Sequence, residues 1–371
     1  MSNVFVVVGG QYGSEAKGHV TAKFVKKTLQ EGSSTVVNVR VAGPNAGHTV
    51  YDHLGRKFAF RQVPVGAVLG KNILTVIAAG SEVEPEVLFK ELAELKAAGH
   101  PVHLFEDQNA TLIEEHHKEA EADAELVKRI GSTGKGIGAA RQARLARTAR
   151  RVQDDQFLVH RLESLGVHVV DTKTFLRRWL EEETIAVIIE GTQGYGLGLH
   201  TEAYPQVTSS DCTAVDFLAM AGISPWAPGV TKVMTVVVCR VYPIRVAGNS
   251  GPMEGETTWE ALGLPEERTT VTQKVRRVGQ WDARLVREAV LANGGGGGLD
   301  DESVVVALTM ADQKVPEFKD FEHCEPGTCS GHPEIPAGAF DRVNALARQV
   351  QEDAGAPVVL ITTGPDSGVW V

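Results

Sequence analysis

Short apolar runs rich in Val and Ile recur along the chain: Val4–Val8, Thr35–Val41, Ile73–Ala78, Val167–Val170, Ile185–Glu190, Lys232–Val241, Val304–Thr309 and Val358–Thr362. Continuous apolar runs of this kind read as strands buried on both faces, as in a parallel sheet. Helical patterns lie between many of them, over Pro85–Ala98, Leu112–Ile130, Arg141–Arg151, Thr174–Glu183 and Ala339–Ala354. Strands alternating with helices predict an α/β fold: a mainly parallel central sheet flanked by helices. No Ser/Pro-rich linker and no internal repeat divides the chain, so residues 1–371 read as one domain with long active-site loops. Residues 242–282, rich in Gly, Thr and Arg, form one such loop region, and Gly294–Gly298 another, flexible one.

Length and charge narrow the class. A chain of 371 residues buries a sizeable core. A formal net charge of −10 argues against a general nucleic-acid surface, although a local basic site for a phosphorylated small molecule stays open. No apolar run approaches bilayer length, and the N-terminus lacks a basic n-region and cleavage site. A cytoplasmic location is the expectation. Cys212, Cys239, Cys324 and Cys329 then read as free thiols. His323, Cys324, Cys329 and His332 are zinc-type ligands close together, but their spacing is tight for a zinc finger and the segment is rich in Pro and Gly. An exposed loop is the competing reading.

The candidate chemistry sits at strand ends. Gly9-Gly10-Gln11-Tyr12-Gly13-Ser14-Glu15-Ala16-Lys17-Gly18 joins the first strand to a helical pattern. It is neither a Walker A motif nor a regular GxGxxG, yet strand, glycine loop and helix make a P-loop-like phosphate cradle, with Lys17 adding charge. Gly43-Pro44-Asn45-Ala46-Gly47-His48-Thr49 follows the second strand and offers a His as general acid. Ile130–Gly138 is a second glycine loop, with Ser132 and Thr133, suited to another phosphate. Arg144, Arg147 and Arg151 follow at i, i+3 and i+7, one face of a helix, and read as an anion or partner site. Glu190-Gly191-Thr192-Gln193-Gly194, Val207–Ser210, the basic stretch Thr269–Arg277 and Ile361–Asp366 complete the set; the basic stretch suits a carboxylate.

In this order and over nearly the whole length, these segments resemble the motifs of the adenylosuccinate synthetase family. The family's GxQWGDEGKGK, NAGHT, IGTTGRGIGP, EGAQG, YPxVTSS, RxRRxGWxD and STGPD stand here as Gly9–His19, Asn45–Thr49, Ile130–Ala139, Glu190–Gly194, Tyr204–Ser210, Lys274–Asp282 and Thr362–Asp366. The resemblance implies a C–N ligase that joins a purine nucleotide to L-aspartate, using a phosphate donor and Mg2+. It implies catalytic roles for Ser14, Lys17 and His48. Nucleotide binding falls to Ser14, Asn45, Ser132, Thr133, Gln193 and Thr208, with Arg147 reaching across a homodimer. Donor binding falls to Gly13, Glu15, Ala16, Lys17, Gly18, Gly47, His48, Thr49, Asp312, Thr363 and Gly364. The amino acid's carboxylates fall to Thr272, Lys274, Arg276 and Arg245, and the metal to Ser14 and the Gly47 carbonyl.

Three departures sharpen the expectation. Ser14 stands where the family carries its acidic base toward purine N1, with Tyr12 for Trp and Ala16 for Gly beside it. A subset of the family carries Ser there: the viral and archaeal-type 2-aminoadenylosuccinate synthetases, which use dGMP instead of IMP and feed diaminopurine into phage DNA. A short hydroxyl accepts a hydrogen bond from a 2-amino group that an Asp would crowd. Met310-Ala311-Asp312 keeps the family's donor-reading Asp but lacks its Lys, and Ser367 replaces an Arg, which implies ATP or dATP rather than GTP. Lys274 replaces an Arg, turning a fork into a point charge. The alternatives are an ordinary adenylosuccinate synthetase acting on IMP and a catalytically silent nucleotide-binding paralogue.

Overall fold

Arg40, Glu190, Arg240 and Thr309 lie at the tips of apolar strands, and the sheet explains why. The computed structural model describes residues 3–41, 43–269, 273–299, 301–321 and 338–371. Its central sheet has ten strands. From one edge to the other they are Gly368–Trp370, Val358–Thr362, Val304–Thr309, Val233–Arg240, Val4–Gly9, Ile185–Glu190, Thr35–Arg40, Ile73–Ile77, Leu104–Asp107 and His168–Val170. Every neighbouring pair is parallel except the first, where Gly368–Trp370 runs antiparallel to Val358–Thr362.

The first strand explains the continuous apolar pattern. Val4, Val6 and Val8 face one helical layer, with Phe217, Leu218, Val286 and Val290, while Phe5 and Val7 face the other, with Val20, Phe24 and Val25. A third cluster around Phe60, Leu88, Leu92, Leu95 and Leu162 covers the flank. Both faces are covered, so neither can alternate with polar residues.

The first strand is also where the order reverses. Ile185–Glu190 lies on one side of it and Val233–Arg240 on the other. Open α/β sheets bind ligands outside the strand C-termini at such a switch point. The register brings a polar row to that edge: Glu190 pairs with Arg40 and with Val7, Gly9 with Val238, and Arg240 with Thr309.

Several expectations change. The helix expected over Leu112–Ile130 is two, Glu115–Asp123 and Leu126–Ile130, because Glu125 at φ 51° breaks the run. The helix expected over Arg141–Arg151 is Ile137–Ala146, and Arg147 at φ 65° ends it, so Arg151 lies off that helical face. The 242–282 region is partly ordered as a small antiparallel sheet of Ile244–Arg245, Arg277–Gly279 and Glu256–Thr257 over Ile244, Trp259 and Val278. The strands Leu104–Asp107 and Gly368–Trp370 and the hairpin His48–Tyr51/Lys57–Phe60 were not expected. No helix among the described residues is long and apolar enough to cross a membrane. His323, Cys324, Cys329 and His332 lie outside the described residues, while Cys212 and Cys239 are buried free thiols.

Candidate active site

The first glycine loop folds around its own acid. Gly13, Ser14 and Ala16 have φ of 85°, 59° and 64°, which turns the backbone back on itself. Glu15 is fully buried; its Oε1 accepts from the amides of Gly13 (2.7 Å) and Gln11 (3.2 Å), and its Oε2 takes Lys17 Nζ at 2.6 Å. Two amides and the Lys17 ammonium of the expected cradle thus face Glu15, whose side chain organises the loop. The helix Lys17–Gln30 that follows has no side chain capping its N-terminus, which leaves that positive end for an anion.

Close packing joins the loops. A Cβ on Gly18 would stand 2.7 Å from His48 Cβ, so only glycine lets the Asn45–Thr49 segment lie on the helix start. A Cβ on Gly194 would stand 2.5 Å from Glu15 Oε1 and 2.6 Å from the Gln11 carbonyl, which sets the Glu190–Gly194 turn over the first loop. Gly13, Glu15, Lys17, Gly18, His48 and Gln193 thus converge, with Ser14, Gly47 and Thr49 exposed at the mouth and Ala16 and Asn45 half-buried.

His48 is held from behind by Glu190. Its Nδ1 lies 2.5 Å from Glu190 Oε1, which also accepts from Arg40 Nη1 at 2.6 Å, and Arg40 Nη1 contacts His48 Nδ1 as well. Glu190 Oε2 accepts from the Val65 amide at 3.0 Å. Burial, then the Arg40 and Lys17 cations, push the His48 pKa down to about 4 against the opposing pull of Glu190. Burial alone would raise the Glu190 carboxyl; Arg40 and His48 outweigh it and leave the acid ionised below its ordinary range. The imidazole is therefore neutral at pH 7, and its Nε2 is the nitrogen left to meet a ligand.

Ser14 is gripped by two arginines. Arg276 Nη1 donates to the Ser14 hydroxyl, and Arg240 Nη1 approaches the Ser14 carbonyl at 3.4 Å. Arg240 is forked onto Glu267 at 3.1 and 2.5 Å, and Gln11 reads the Arg240 backbone with its amide, 3.0 Å each way. No group of three or more metal-ligating side chains occurs among the described residues. Ser14 gives one lone pair to a guanidinium and keeps one that a metal or a ligand N–H can take; the Gly47 carbonyl, on an exposed residue, fits a magnesium carried mainly by donor phosphates.

The other expected residues divide. Arg276 reaches the centre, whereas Lys274 is exposed and Thr272 lies outside the described residues. Arg245 is buried, lies 4.4 Å from the Tyr12 ring centre and donates to the Pro252 and Gln206 carbonyls, which makes it a strut of the small sheet. The second glycine loop is filled by its own protein: Glu121 accepts from the Gly136 and Gly138 amides, each at 2.9 Å, and Ser132 accepts from Gly134. Those amides are not a vacant phosphate nest, and Thr133 stays on the surface side of the loop. Gly43 packs against Ile137 and ties this helix to the His48 segment. Arg150 and Arg151 pair with carboxylates, while Arg147 is exposed and donates to the Leu145 carbonyl. Asp312, expected at the donor, sits in the turn Ala311–Gln313, its pKa raised by burial, and the Thr363 hydroxyl donates to the Phe321 carbonyl at 2.5 Å beside Gly364. The Thr208 amide donates to the Leu197 carbonyl at 2.8 Å, closing the loop that follows Glu190–Gly194.

Arg40, Arg240 and Glu267 are site residues that the motif reading passed over. Two carried a signal: Arg40 and Arg240 each end an apolar β-branched run, a place where a charge has no reason to be buried unless it is used. Glu267 carried none, because its partner is distant in sequence.

The adenylosuccinate synthetase family model matches residues 6–164 and 155–297. The adenylosuccinate synthetase of Thermococcus sibiricus is 34% identical over 368 residues, 98% of this chain and 96% of that protein. That of Archaeoglobus fulgidus is 33% identical, over 97% and 95%. Among solved structures, the succinoaminodeoxyadenylate synthetase PurZ of cyanophage S-2L, bound to dGMP and to dATP as an energy donor, has a TM-score of 0.75 at 27% identity, covering 98% of this chain and 93% of that one. Fully ligated adenylosuccinate synthetase from Plasmodium falciparum shares the fold, with a TM-score of 0.74 at 20% identity over the full length of both. The protein thus belongs to the adenylosuccinate synthetase family, C–N ligases that join a nucleotide to aspartate at the expense of a phosphate donor.

Proposed function

We propose that this ligase takes dGMP as its nucleotide, with ATP or dATP as donor, and forms N6-succino-2-amino-2′-deoxyadenylate. The observation that carries the reading is Ser14: exposed at the mouth of the first loop, short, and with its hydroxyl fixed by Arg276. A hydroxyl so held has a lone pair left to accept from the N2–H or N1–H of guanine, and a proton to give to N1 once phosphorylation of O6 has removed the N1 proton. The dGMP and dATP bound by the cyanophage relative support the same choice. The loss of the donor-reading Lys at Met310 and of the Arg at Ser367 supports an adenine donor.

The chemistry divides among the residues described. The purine O6 is a poor leaving group until it is phosphorylated. The N1 proton passes to a water or to the bound aspartate substrate as the donor γ-phosphoryl transfers to O6; the amine of L-aspartate then attacks C6, phosphate departs, and the amine gives up a proton to solvent. His48, held through Nδ1 by Glu190, presents Nε2 to O6, and the negative charge of the bound phosphates and transferring phosphoryl would favour the doubly protonated ring that donates from Nε2 to that oxygen. Lys17 and the helix N-terminus offer positive charge to the donor phosphates. Arg276, with Lys274 and Thr272, receives the aspartate carboxylates. Ser14 positions the base and is not its proton acceptor, since an unassisted hydroxyl is a weak acid–base group at neutral pH. Magnesium, held by donor phosphates and the Gly47 carbonyl, would neutralise charge on the transferring phosphoryl. Arg147 would complete the nucleotide site of a second subunit in a homodimer.

The 34%-identical archaeal relatives, named adenylosuccinate synthetases, favour the second reading, an enzyme for IMP. Phosphate release with L-aspartate separates the two. The proposal expects dGMP to exceed GMP and IMP, dATP to exceed GTP, and Ser14→Asp to lose dGMP turnover. IMP outcompeting dGMP refutes it, and no turnover with any nucleotide identifies a silent paralogue.

A further inference from the structure

Ser14 is a strained residue. At φ 59° a non-glycine side chain pays for a left-handed backbone, and such a conformation persists only where its surroundings impose it. The surroundings here are charged. Arg276 holds the hydroxyl and Arg240 approaches the carbonyl, so two guanidiniums converge on one serine. Their mutual repulsion opposes that arrangement. Glu267 answers it: its carboxylate takes the Arg240 fork at 3.1 and 2.5 Å, its backbone carbonyl accepts the Arg276 amide at 2.8 Å, and Gln313 reaches it at 3.5 Å. Burial opposes ionisation of Glu267, and the Arg240 and Arg276 cations overcome it, so the group stays a carboxylate. Glu15, the other nearby acid, is committed to Lys17 and two amides and cannot share the task.

We infer that Glu267 is the positioning residue for Ser14: through Arg240 and the Arg276 backbone it sets where the base-facing hydroxyl stands, and so sets the discrimination between purines with and without a 2-amino group. This rests on the reading of Ser14 as the residue that faces the purine. The Glu267 carboxylate acts through its neighbours, being committed to Arg240 and Gln313. The loss of its charge would leave Arg240, 0% exposed, without a counter-ion, and Arg276 would be free to leave the hydroxyl for the substrate carboxylate alone.

A double-mutant cycle tests it. kcat/KM is measured with whichever nucleotide the unmodified enzyme turns over best, for the parent, Glu267→Gln, Ser14→Ala and the double variant. Side chains acting through one another are non-additive, so the effect of Glu267→Gln should shrink by about fivefold or more once Ser14 is Ala. Additivity within about twofold, the behaviour of independent sites, overturns the inference. The cycle does not depend on which nucleotide is preferred, so a failure of the dGMP reading is told apart from a failure of this one. With dGMP and dIMP compared directly, Glu267→Gln should lower their kcat/KM ratio while the KM for donor stays put; an equal loss on both nucleotides marks a merely structural residue. If Glu267→Gln does not fold, Arg240→Lys, which keeps the charge and loses the fork, carries the same cycle.

Discussion

Replacing Glu190 by Gln changes one atom type in the middle of the site. Glu190 is fully buried, and both of its oxygens are acceptors: Oε1 for Arg40 at 2.6 Å and His48 at 2.5 Å, Oε2 for the Val65 amide at 3.0 Å. An amide of the same shape must put an NH2 at one of these positions. There it faces Val65 N–H or the Arg40 guanidinium, donor against donor. Arg40, 1% exposed, also loses its only carboxylate among the described contacts, keeping the Ala46 and Arg61 carbonyls at 2.6 and 3.3 Å. Breaking a buried ion pair from one side costs about 3–5 kcal/mol, and the two remaining carbonyls put this case at the low end. The expected result is a thermal midpoint lower by several degrees, given that about 1 kcal/mol moves a domain of moderate size by roughly 2–4 °C. Activity should fall further than stability, by roughly 100-fold or more, the usual worth of a positioned acid–base group. Glu190→Asp, which keeps the charge and withdraws it by one methylene, should recover most of the stability and part of the rate. Calorimetry and phosphate release on the three proteins make the test. A Glu190→Gln protein that melts with the parent and turns over within a few-fold of it would refute the buried-pair reasoning.

Other outcomes follow from the same contacts. His48 has its pKa lowered from 6.5 to about 4 by burial, so between those values the unfolded chain binds a proton that the folded one does not. Stability should therefore fall by about 3 kcal/mol as pH drops through that window, with His19, lowered to about 3, acting in the same sense. Melting from pH 8 to pH 4 should show the parent's slope flattened in His48→Asn, and an unchanged slope would exclude His48 as the source. Gly194→Ala places a Cβ 2.5 Å from Glu15 Oε1 and should cost roughly 1–3 kcal/mol by overpacking. It should also raise the KM for donor more than the KM for L-aspartate, as steady-state kinetics can show. Arg147→Ala should weaken nucleotide binding roughly tenfold to a hundredfold if the arginine meets phosphate. In the shared-site dimer, mixing it with an inactive His48 variant should restore activity, and full activity of a dilute monomer would contradict that arrangement.

The local sequence determined the strands and the loops that follow them. Val4, Val6 and Val8 could alternate with Phe5 and Val7 only in a sheet covered on both sides, and glycine at 9, 13 and 18 marks where backbone must turn or touch backbone. The family motifs sit at strand ends for the same short-range reason. Tertiary structure decided what those loops do with their charges. Whether the Glu15 carboxylate points outward or to its own Lys17, whether the amides of Gly136 and Gly138 stand open or donate to Glu121, and whether Arg245 reaches outward or packs on Tyr12 all depend on the direction of a side chain in a crowded interior. Arg276 finds Ser14 across 262 positions and Arg240 finds Glu267 across 27. Hydrophobic periodicity is a property of neighbours along the chain and survives in one dimension. Pairing of buried charges is set by distances of a few ångströms in space, and only the sheet order, which places the Arg240 strand against the first strand, brings those partners within reach.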